Sequence, residues 1–365
     1  MNYRFDKIAF NSTAKKTPTE SDKEHYIGLE HIDSECLEIT RWGSDVAPIG
    51  EKLIMKKGDV LFGKRRAYQR KLAIAPFDGI FSAHGMVLRP NEEVVDKNYF
   101  PFFMSSDLFM ERAVQISVGG LSPTINWKDL REQEFPLPPL AEQKVLADKL
   151  WAAYRLKESY KKLLAATEEM VKSQFIEMFG NPVTNSKKWP TKPISEVAPE
   201  QPSETKTTGL VWLLNLDMIE SNTGKVIEKV YEDDSNLLSV APFDEGNVLY
   251  SKLRPYLNKV VIPDGKGYAT TELVPLRPNQ ELVNLTFFSH LLRGDDFVSF
   301  ANGIATGTKM PRMPLNDLRK FNCILPPIEM QKEFEEIAHQ ADKSGFELRK
   351  SIDAIDAVIK SLINS

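Results

Sequence analysis

The chain contains two copies of one unit, offset by 188 residues. Shifted by that distance, residues 58–91 align with residues 246–279 without a gap. The same shift aligns "LPPLAEQK" (137–144) with "LPPIEMQK" (325–332), and Asp129-Leu130-Arg131 with Asp317-Leu318-Arg319. The period is far longer than the roughly 20–50 residues of solenoid repeats. The pattern therefore predicts a duplicated unit, each copy a globular part followed by a tail. The positions of 58–91 that recur 188 residues later are Gly58, Val60, Leu61, Lys64, Arg66, Tyr68, Lys71, Ile74, Gly79, Leu88, Arg89, Pro90 and Asn91.

Both tails are predicted to be long helices. Proline and glycine are absent between Pro139 and Phe179, and Gly180 and Pro182 then favour a helix end. In the second tail apolar or small residues are spaced by four and three from Phe334 to Leu362, which is a heptad pattern. A helix of 35–40 residues is roughly 55–60 Å long.

Such a stripe ordinarily marks a core-facing helix. Because two long stripes occupy equivalent places, we expect the helices to pair with each other, antiparallel if the copies are related by a pseudo-two-fold axis. The expected seam residues are Leu146, Leu150, Tyr160, Leu164, Val171, Ala338, Leu348, Ile352, Ile355 and Ile359.

The globular parts are predicted to be mixed α/β. Short β-rich runs such as Val60–Phe62 and Val248–Tyr250 favour strands, and residues 98–114 and 285–301 favour helices. The fold class is therefore α/β (α+β), with two similar domains joined by two long helices. The predicted boundaries are 1–136 and 188–324 for the two globular domains, 137–182 for the central helix and 325–365 for the C-terminal helix.

Composition places the chain among globular proteins of the cytoplasm. Hydrophobic residues make up 42% and charged residues 27% of the 365 positions. Cys36 and Cys323 lie far apart in sequence and form no CxxC pair, which fits a reducing compartment. We therefore expect a cytoplasmic protein with no metal site.

Motifs that would carry catalysis are absent from the sequence. There is no GxSxG, no HExxH and no GxGxxG after a predicted strand. Glycine-bearing loops at 117–123 and 303–311 occupy matching repeat positions but lack the spacing of a phosphate-binding loop. We therefore expect no catalytic residues and favour a binding or scaffolding protein.

The order and duplication of these features resemble the specificity subunit of type I restriction–modification systems. The resemblance rests on the two "LPP(L/I)xxQK" junctions, the long heptad helices, "FGNP" (179–182) after the first helix, and "G(D/N)VL" followed by basic residues in each copy. It covers essentially the whole chain.

The resemblance implies that each globular domain is a target-recognition domain for one half of a bipartite double-stranded DNA sequence. The helix pair would set the spacing of the half-sites and dock two modification subunits. Those subunits would carry S-adenosylmethionine and methylate adenine at N6, so this chain would hold no cofactor. Restriction subunits would complete a complex that cleaves DNA.

A basic segment in each copy favours DNA contact in a chain whose net charge is −4. Residues 56–90 carry eight Lys or Arg against two Asp, and 246–279 carry five against two acidic residues. Residues identical in both copies cannot distinguish two half-sites, so phosphate contact or a shared folding role is predicted for Lys64/Lys252, Arg66/Arg254, Tyr68/Tyr256 and Lys71/Lys259. Pairs that differ are predicted to read bases: Arg65/Leu253, Gln69/Leu257, Arg70/Asn258 and His84/Glu272.

Other roles stay open at this point. Any one cation can be a solvated surface residue, and Tyr68 and Tyr256 can equally be core residues. A coiled-coil adaptor that binds proteins instead of DNA is the alternative function, and a self-contained enzyme is a third class without a supporting motif.

Overall fold

The computed structural model describes residues 1–204 and 207–364, so Thr205, Lys206 and Ser365 of the predicted domains lie outside the described residues. Contacts divide the chain into two compact units. The first comprises Met1–Lys161 and Lys350–Ser365, and the second comprises Lys162–Arg349. Each unit therefore contains one globular part and a segment of both long helices.

The first unit has ten strands and four short helices before the first long helix. The strands are β1 (Asn2–Arg4), β2 (Ala9–Ser12), β3 (Lys15–Lys16), β4 (Tyr26–Ile27), β5 (Lys52–Met55), β6 (Val60–Phe62), β7 (Leu72–Ile74), β8 (Gly79–Phe81), β9 (Met86–Pro90) and β10 (Glu134–Pro136). The helices are α1 (Phe5–Ile8), α2 (Phe100–Ser105), α3 (Asp107–Gln115), α4 (Trp127–Leu130) and the long α5 (Leu140–Phe179).

The second unit repeats this order. Its strands are β11 (Thr191–Pro193), β12 (Leu210–Leu214), β13 (Val230–Asp233), β14 (Val240–Phe243), β15 (Val248–Ser251), β16 (Val260–Val261), β17 (Gly267–Thr270), β18 (Leu273–Leu276) and β19 (Asn322–Ile324). Its helices are α6 (Ile194–Val197), α7 (Leu285–Arg293), α8 (Asp295–Ile304), α9 (Leu315–Lys320) and the long α10 (Ile328–Ile363).

The sheets of the first unit have the strand orders β1-β10, β2-β9-β6-β7 and β3-β5-β8-β4. Those of the second are β11-β19, β16-β15-β18 and β13-β12-β17-β14. Pairing is antiparallel except between β4 and β8 and between β12 and β17. The mixed α/β class and the duplicated architecture predicted from the sequence are confirmed.

Aromatic side chains dominate both cores. Phe5, Phe103, Phe109 and Phe135 share one cluster in the first unit, with Phe5 and Phe109 ring centroids 5.4 Å apart. In the second unit Phe179 of α5 meets Phe287 at 4.8 Å and Phe334 of α10 at 5.6 Å. The long helices are therefore part of each core.

Within the second unit the helix segments run antiparallel. Arg349 donates to Glu168 at 2.7 Å, and Phe175 packs on Phe334 with ring centroids 5.3 Å apart, so residue numbers fall on α10 as they rise on α5. Gly180 closes α5 with a φ of +75°, and its N–H donates to the Ile176 carbonyl, as the sequence predicts. None of the described helices is long and apolar enough to cross a bilayer.

The repeated glutamine of the "LPPxxxQK" motif holds each long helix to its globular part. Gln331 is fully buried, accepts from Asn284 N at 2.8 Å, and donates to the Leu282 and Pro326 carbonyls at 3.0 and 2.8 Å. Gln143 makes the equivalent bonds to Asp96 N and to the carbonyls of Val94 and Pro138. This three-bond lock explains why the motif recurs at both junctions.

Each helical stretch after the sheet is broken in two. The sequence predicted one helix over 98–114 and one over 285–301. In the structure extended backbone at Ser106 separates α2 from α3, and extended backbone at Gly294 separates α7 from α8. Ser106 caps α3 by accepting from Phe109 N at 3.1 Å.

Candidate nucleic-acid interface

The basic stretch of the first unit is the connection between β6 and β7. Its middle is a short 3₁₀ turn, Ala67–Gln69, flanked by Arg66 and Arg70 in the left-handed conformation with φ of 57° and 50°. Gly63 N donates to the Lys71 carbonyl at 2.9 Å and closes the connection at its base. The antiparallel pair therefore presents the intervening residues as a compact loop.

The second unit builds the same loop between β15 and β16. The 3₁₀ turn Pro255–Leu257 lies between Arg254 and Asn258, with φ of 50° and 48°. Ser251 N donates to the Lys259 carbonyl at 3.0 Å. The duplicated sequence thus produces a duplicated backbone, including two unusual left-handed residues in each copy.

The arginine that recurs in both copies, Arg66 in the first and Arg254 in the second, is held in its loop by a backbone hydrogen bond. A non-glycine residue in the left-handed region costs roughly 1–2 kcal/mol. Arg66 N donates to the Pro123 carbonyl at 2.7 Å, and Arg254 N donates to the Pro311 carbonyl at the same distance. The two arginines therefore share a loop-shaping role in addition to their charge.

Lys71 and Lys259 point into the fold. Their Nζ atoms donate to the carbonyls of Leu29 and Leu216, both at 2.6 Å. Burial lowers the pKa of Lys259. Of the two roles that the sequence left open for this pair, the structure favours the folding role.

Tyr68 and Tyr256 lie on the 3₁₀ turns and are exposed. Their exposed fractions are 56% and 47%. The core alternative for these two residues is therefore wrong, and both rings are available to a ligand.

Three consecutive cations of the first unit, Lys64, Arg65 and Arg66, form what we call the cation patch. Arg65 and Arg66 are exposed, while Lys64 is half-buried, and burial, with a smaller contribution from the charge of Lys15, lowers its pKa. Arg65 Nη2 and Arg66 Nε both donate to Ser122 Oγ, at 3.2 and 3.3 Å. Among the described residues no carboxylate lies within 4.0 Å of these three cations, whereas Arg70 and Arg89 are paired. The patch is therefore an electrostatic site without an internal counter-ion.

The remaining predicted residues of the first unit differ in accessibility. Arg70 is half-buried and pairs with Glu35 at 3.4 Å and with Asp107 at 2.5 Å. Gln69 is half-buried, and its carbonyl accepts from Ser34 Oγ. His84 is exposed, and its carbonyl accepts from Arg65 N at 3.3 Å. His84 is thus placed beside the cation patch, while Arg70 already has two carboxylate partners.

In the second unit the loop is less charged. Lys252 and Arg254 are half-buried, and Nε of Arg254 has no hydrogen-bond partner among the residues that the structure describes. Glu272 pairs with Arg312 at 2.9 Å. Asn258 is buried, with an exposed fraction of 4%, and its Nδ2 donates to the Arg293 carbonyl at 2.9 Å. The amide of Asn258 therefore serves the fold, and the structure does not present it for base reading.

The glycine-bearing loops lie against these basic loops, which the sequence did not indicate. Arg65 pairs with Thr124 in an isolated bridge, and Leu253 pairs with Arg312 in the same way. Ile125 N donates to the Lys64 carbonyl at 2.9 Å. The only sequence signal was that the glycine loops occupy matching positions of the repeat.

The predicted seam residues are distributed between the two units. Leu150 and Ile359 are buried in the core of the first, and Leu146 and Ile355 pack against it. Val171 and Ala338 are buried in the core of the second. Ile352 is buried, and Tyr160, Leu164 and Leu348 are half-buried.

A family model described as the type I restriction modification DNA specificity domain matches residues 10–169. The EcoDI specificity subunit of Escherichia coli is 28% identical over 142 residues, which are 38% of this chain and 31% of that protein. A Methanocaldococcus jannaschii protein named as the MjaX specificity subunit is 24% identical, with 92% of this chain and 84% of that protein covered. Residues 10–169 therefore match the DNA specificity domain of type I systems, and the chain is similar to type I restriction–modification specificity subunits.

One solved structure resembles the fold of this chain over its whole length. The type I restriction–modification S subunit from M. genitalium matches with a TM-score of 0.57 and 12% identity, covering 100% of this chain and 94% of that one. The match to the E. coli protein spans about a third of that protein's length.

Proposed function

We propose that each unit reads one half of a bipartite duplex DNA target through its basic loop. The observation that carries the proposal is that one loop geometry is built twice, with left-handed arginines at Arg66 and Arg254 that have no ion pair to any of the described carboxylates. Such cations neutralise phosphates and fix the register of the protein on the duplex. Residues that differ between the copies then distinguish the two half-sites.

The chain acts in this proposal as a non-catalytic subunit. Two modification subunits dock on the helix pair, carry S-adenosylmethionine and methylate adenine at N6, and restriction subunits join them. The same helices set the spacing of the half-sites. The chain itself needs no cofactor, and its place of action is the cytoplasm.

The test is a mobility shift with the chain and a type I modification subunit on duplex DNA, measured across a salt series. Lys64→Gln and Arg66→Gln remove one charge each and keep a long side chain. Each should weaken binding to all sequences about equally and reduce the slope of log affinity against log salt by about 0.9. Arg41→Gln is the matched control, because Arg41 is exposed and already paired with Asp33 at 2.6 Å.

An unchanged slope in both patch variants would show that the patch does not contact phosphate. The adaptor alternative predicts a different result: the chain would bind its protein partner and produce no shift with DNA under any salt condition.

A further inference from the structure

The glycine loop of the first unit is a small hairpin with an apolar tip. Val118 and Thr124 exchange backbone hydrogen bonds at 3.0 and 2.9 Å, and Gly119 adopts a φ of 115° that favours glycine. Leu121 at the tip has an exposed fraction of 97%. A leucine held in water by a closed hairpin is a candidate for contact with a ligand.

This hairpin is fixed to the cation patch by several bonds. Pro123 accepts from Arg66 N at 2.7 Å, and Ser122 Oγ accepts from Arg65 and Arg66. Ile125 N donates to the Lys64 carbonyl at 2.9 Å. Leu121 therefore lies next to residues that attract a polyanion, although leucine itself has no affinity for phosphate.

The second unit has the same hairpin with a different tip. Thr306 and Arg312 exchange backbone bonds at 3.0 and 2.9 Å, and Gly307 has a φ of 103°. The Pro311 carbonyl accepts from Arg254 N at 2.7 Å. The frame is thus shared, but the first tip is Gly120-Leu121-Ser122 and the second is Thr308-Lys309-Met310.

We infer that the two hairpin tips are base-reading elements, and that Leu121 contacts the C5-methyl group of a thymine in the half-site of the first unit. The inference rests on the proposed function. Charge complementarity favours duplex DNA as the occupant, because within the described part of the chain the cation patch beside the tip has no carboxylate within 4.0 Å, whereas Arg70 and Arg89 are paired. An apolar side chain distinguishes bases in the major groove through the thymine methyl group. Tips that differ on a shared frame fit half-sites that differ.

The experiment uses the chain with its modification subunit and a target mapped beforehand by methylation. Each thymine of the first half-site is replaced in turn by uracil, which removes only the methyl group. For the unsubstituted chain we expect one position at which affinity falls about fourfold, the effect of roughly one buried methyl group. Leu121→Ala should bind the thymine duplex more weakly and lose the response to uracil at that position.

Ile49→Ala is the matched control. Ile49 is an exposed apolar residue of the same unit, with an exposed fraction of 94%. This variant should retain both the affinity and the uracil response. Equal uracil responses in Leu121→Ala and the unsubstituted chain, or no uracil response in either, would overturn the inference.

Two further outcomes separate this inference from the proposed function. If Leu121→Ala loses the modification subunit while DNA preference is unchanged, the tip is a protein contact and the inference is wrong. If the complex shows no sequence preference at all, the proposed function itself fails. Sequence-specific binding that ignores Leu121 overturns only the role of the tip.

Discussion

Lys157 of α5 donates to Asp356 of α10 at 2.6 Å, inside the first unit. The lysine side chain is only 9% exposed, while the aspartate is 38% exposed. The pair therefore joins the two long helices at a place where the lysine ammonium group is largely shielded from solvent. A buried cation of this kind depends on its partner.

Replacing Lys157 tests how much that pairing contributes. Lys157→Met leaves Asp356 without its donor, and because this carboxylate is partly hydrated we expect a loss of about 1–2 kcal/mol in the free energy of unfolding. The double variant Lys157→Met, Asp356→Leu should recover most of the loss. Denaturant unfolding measures both. Lys161→Met is the control, since Lys161 is exposed and pairs with Glu158 at 3.0 Å, and it should change stability by less than about 0.5 kcal/mol.

Gln331 should be the most sensitive position at the junction between the second globular part and α10. Gln331→Met keeps the length of the side chain but leaves Asn284 N and two carbonyls without partners in a fully buried place. We expect a loss of about 2–4 kcal/mol in unfolding free energy. Gln340→Met, on the exposed face of the same helix, should have little effect. Equal stabilities of the two variants would contradict the role of the three Gln331 hydrogen bonds in holding α10 to the globular part.

Because the pKa of His290 is lowered in the folded second unit, we expect the free energy of unfolding to depend on pH. Burial, and then the charge of Arg293, lowers its pKa to about 3 from an ordinary value of 6.5. Its Nε2 accepts from Arg293 Nη2 at 2.8 Å while Nδ1 donates to the Thr286 carbonyl at 2.9 Å, so the ring is neutral in the folded state.

Because the folded pKa is lowered, the unfolded chain binds the proton first as pH falls. The contribution of His290 is fully present above pH 6.5 and is lost as pH falls toward 3, by about 1.4 kcal/mol for each pH unit. Between pH 7 and pH 5 the protein should therefore lose about 2 kcal/mol more than the His290→Gln variant. His84→Gln, at an exposed position, is the control. A difference between the protein and His290→Gln that does not change with pH would refute this explanation.

Gly345 occupies the position in the second copy that Lys157 occupies in the first. A cavity of about 660 Å³ lies beside it, lined in part by Glu168, Lys225 and Asp342. A Cβ atom at Gly345 would meet the ends of three side chains, Arg349 Nη1 at 3.3 Å, Leu164 Cδ1 at 3.4 Å and Lys225 Nζ at 4.0 Å. We expect Gly345→Ala to raise the free energy of unfolding by about 0.5–1 kcal/mol, because alanine favours the helix. A loss of stability would show that the neighbouring side chains leave no room for a methyl group at this position.

The long helices could be predicted because their signal is local. An uninterrupted apolar period and a glycine at 180 are sufficient to place α5 and its end. The breaks at Ser106 and Gly294 could not be predicted, since the residues around them continue an apolar pattern typical of one helix. Packing against the sheets, which the sequence does not display, determines where those helices turn.

The candidate site was predictable as a charged segment but not in its internal roles. The Lys71 and Lys259 ammonium groups bond carbonyls more than 40 positions away in the chain, and nothing near them in sequence indicates this. The burial of Asn258 has the same origin, because its partner Arg293 lies in α7. The hairpins that flank the basic loops are likewise long-range neighbours, so only the matching repeat positions indicated them.

Methylation mapping tests the central claim, that each unit reads its own half-site. The chain is expressed with a type I modification subunit, and methylated adenines are mapped over a genome, first for the unsubstituted chain and then for one with residues 188–324 exchanged for the equivalent part of a relative. We predict a single bipartite motif whose second half-site changes on exchange while the first half-site and the spacing stay the same. A motif that is not bipartite, or an exchange that alters both half-sites together, would contradict it.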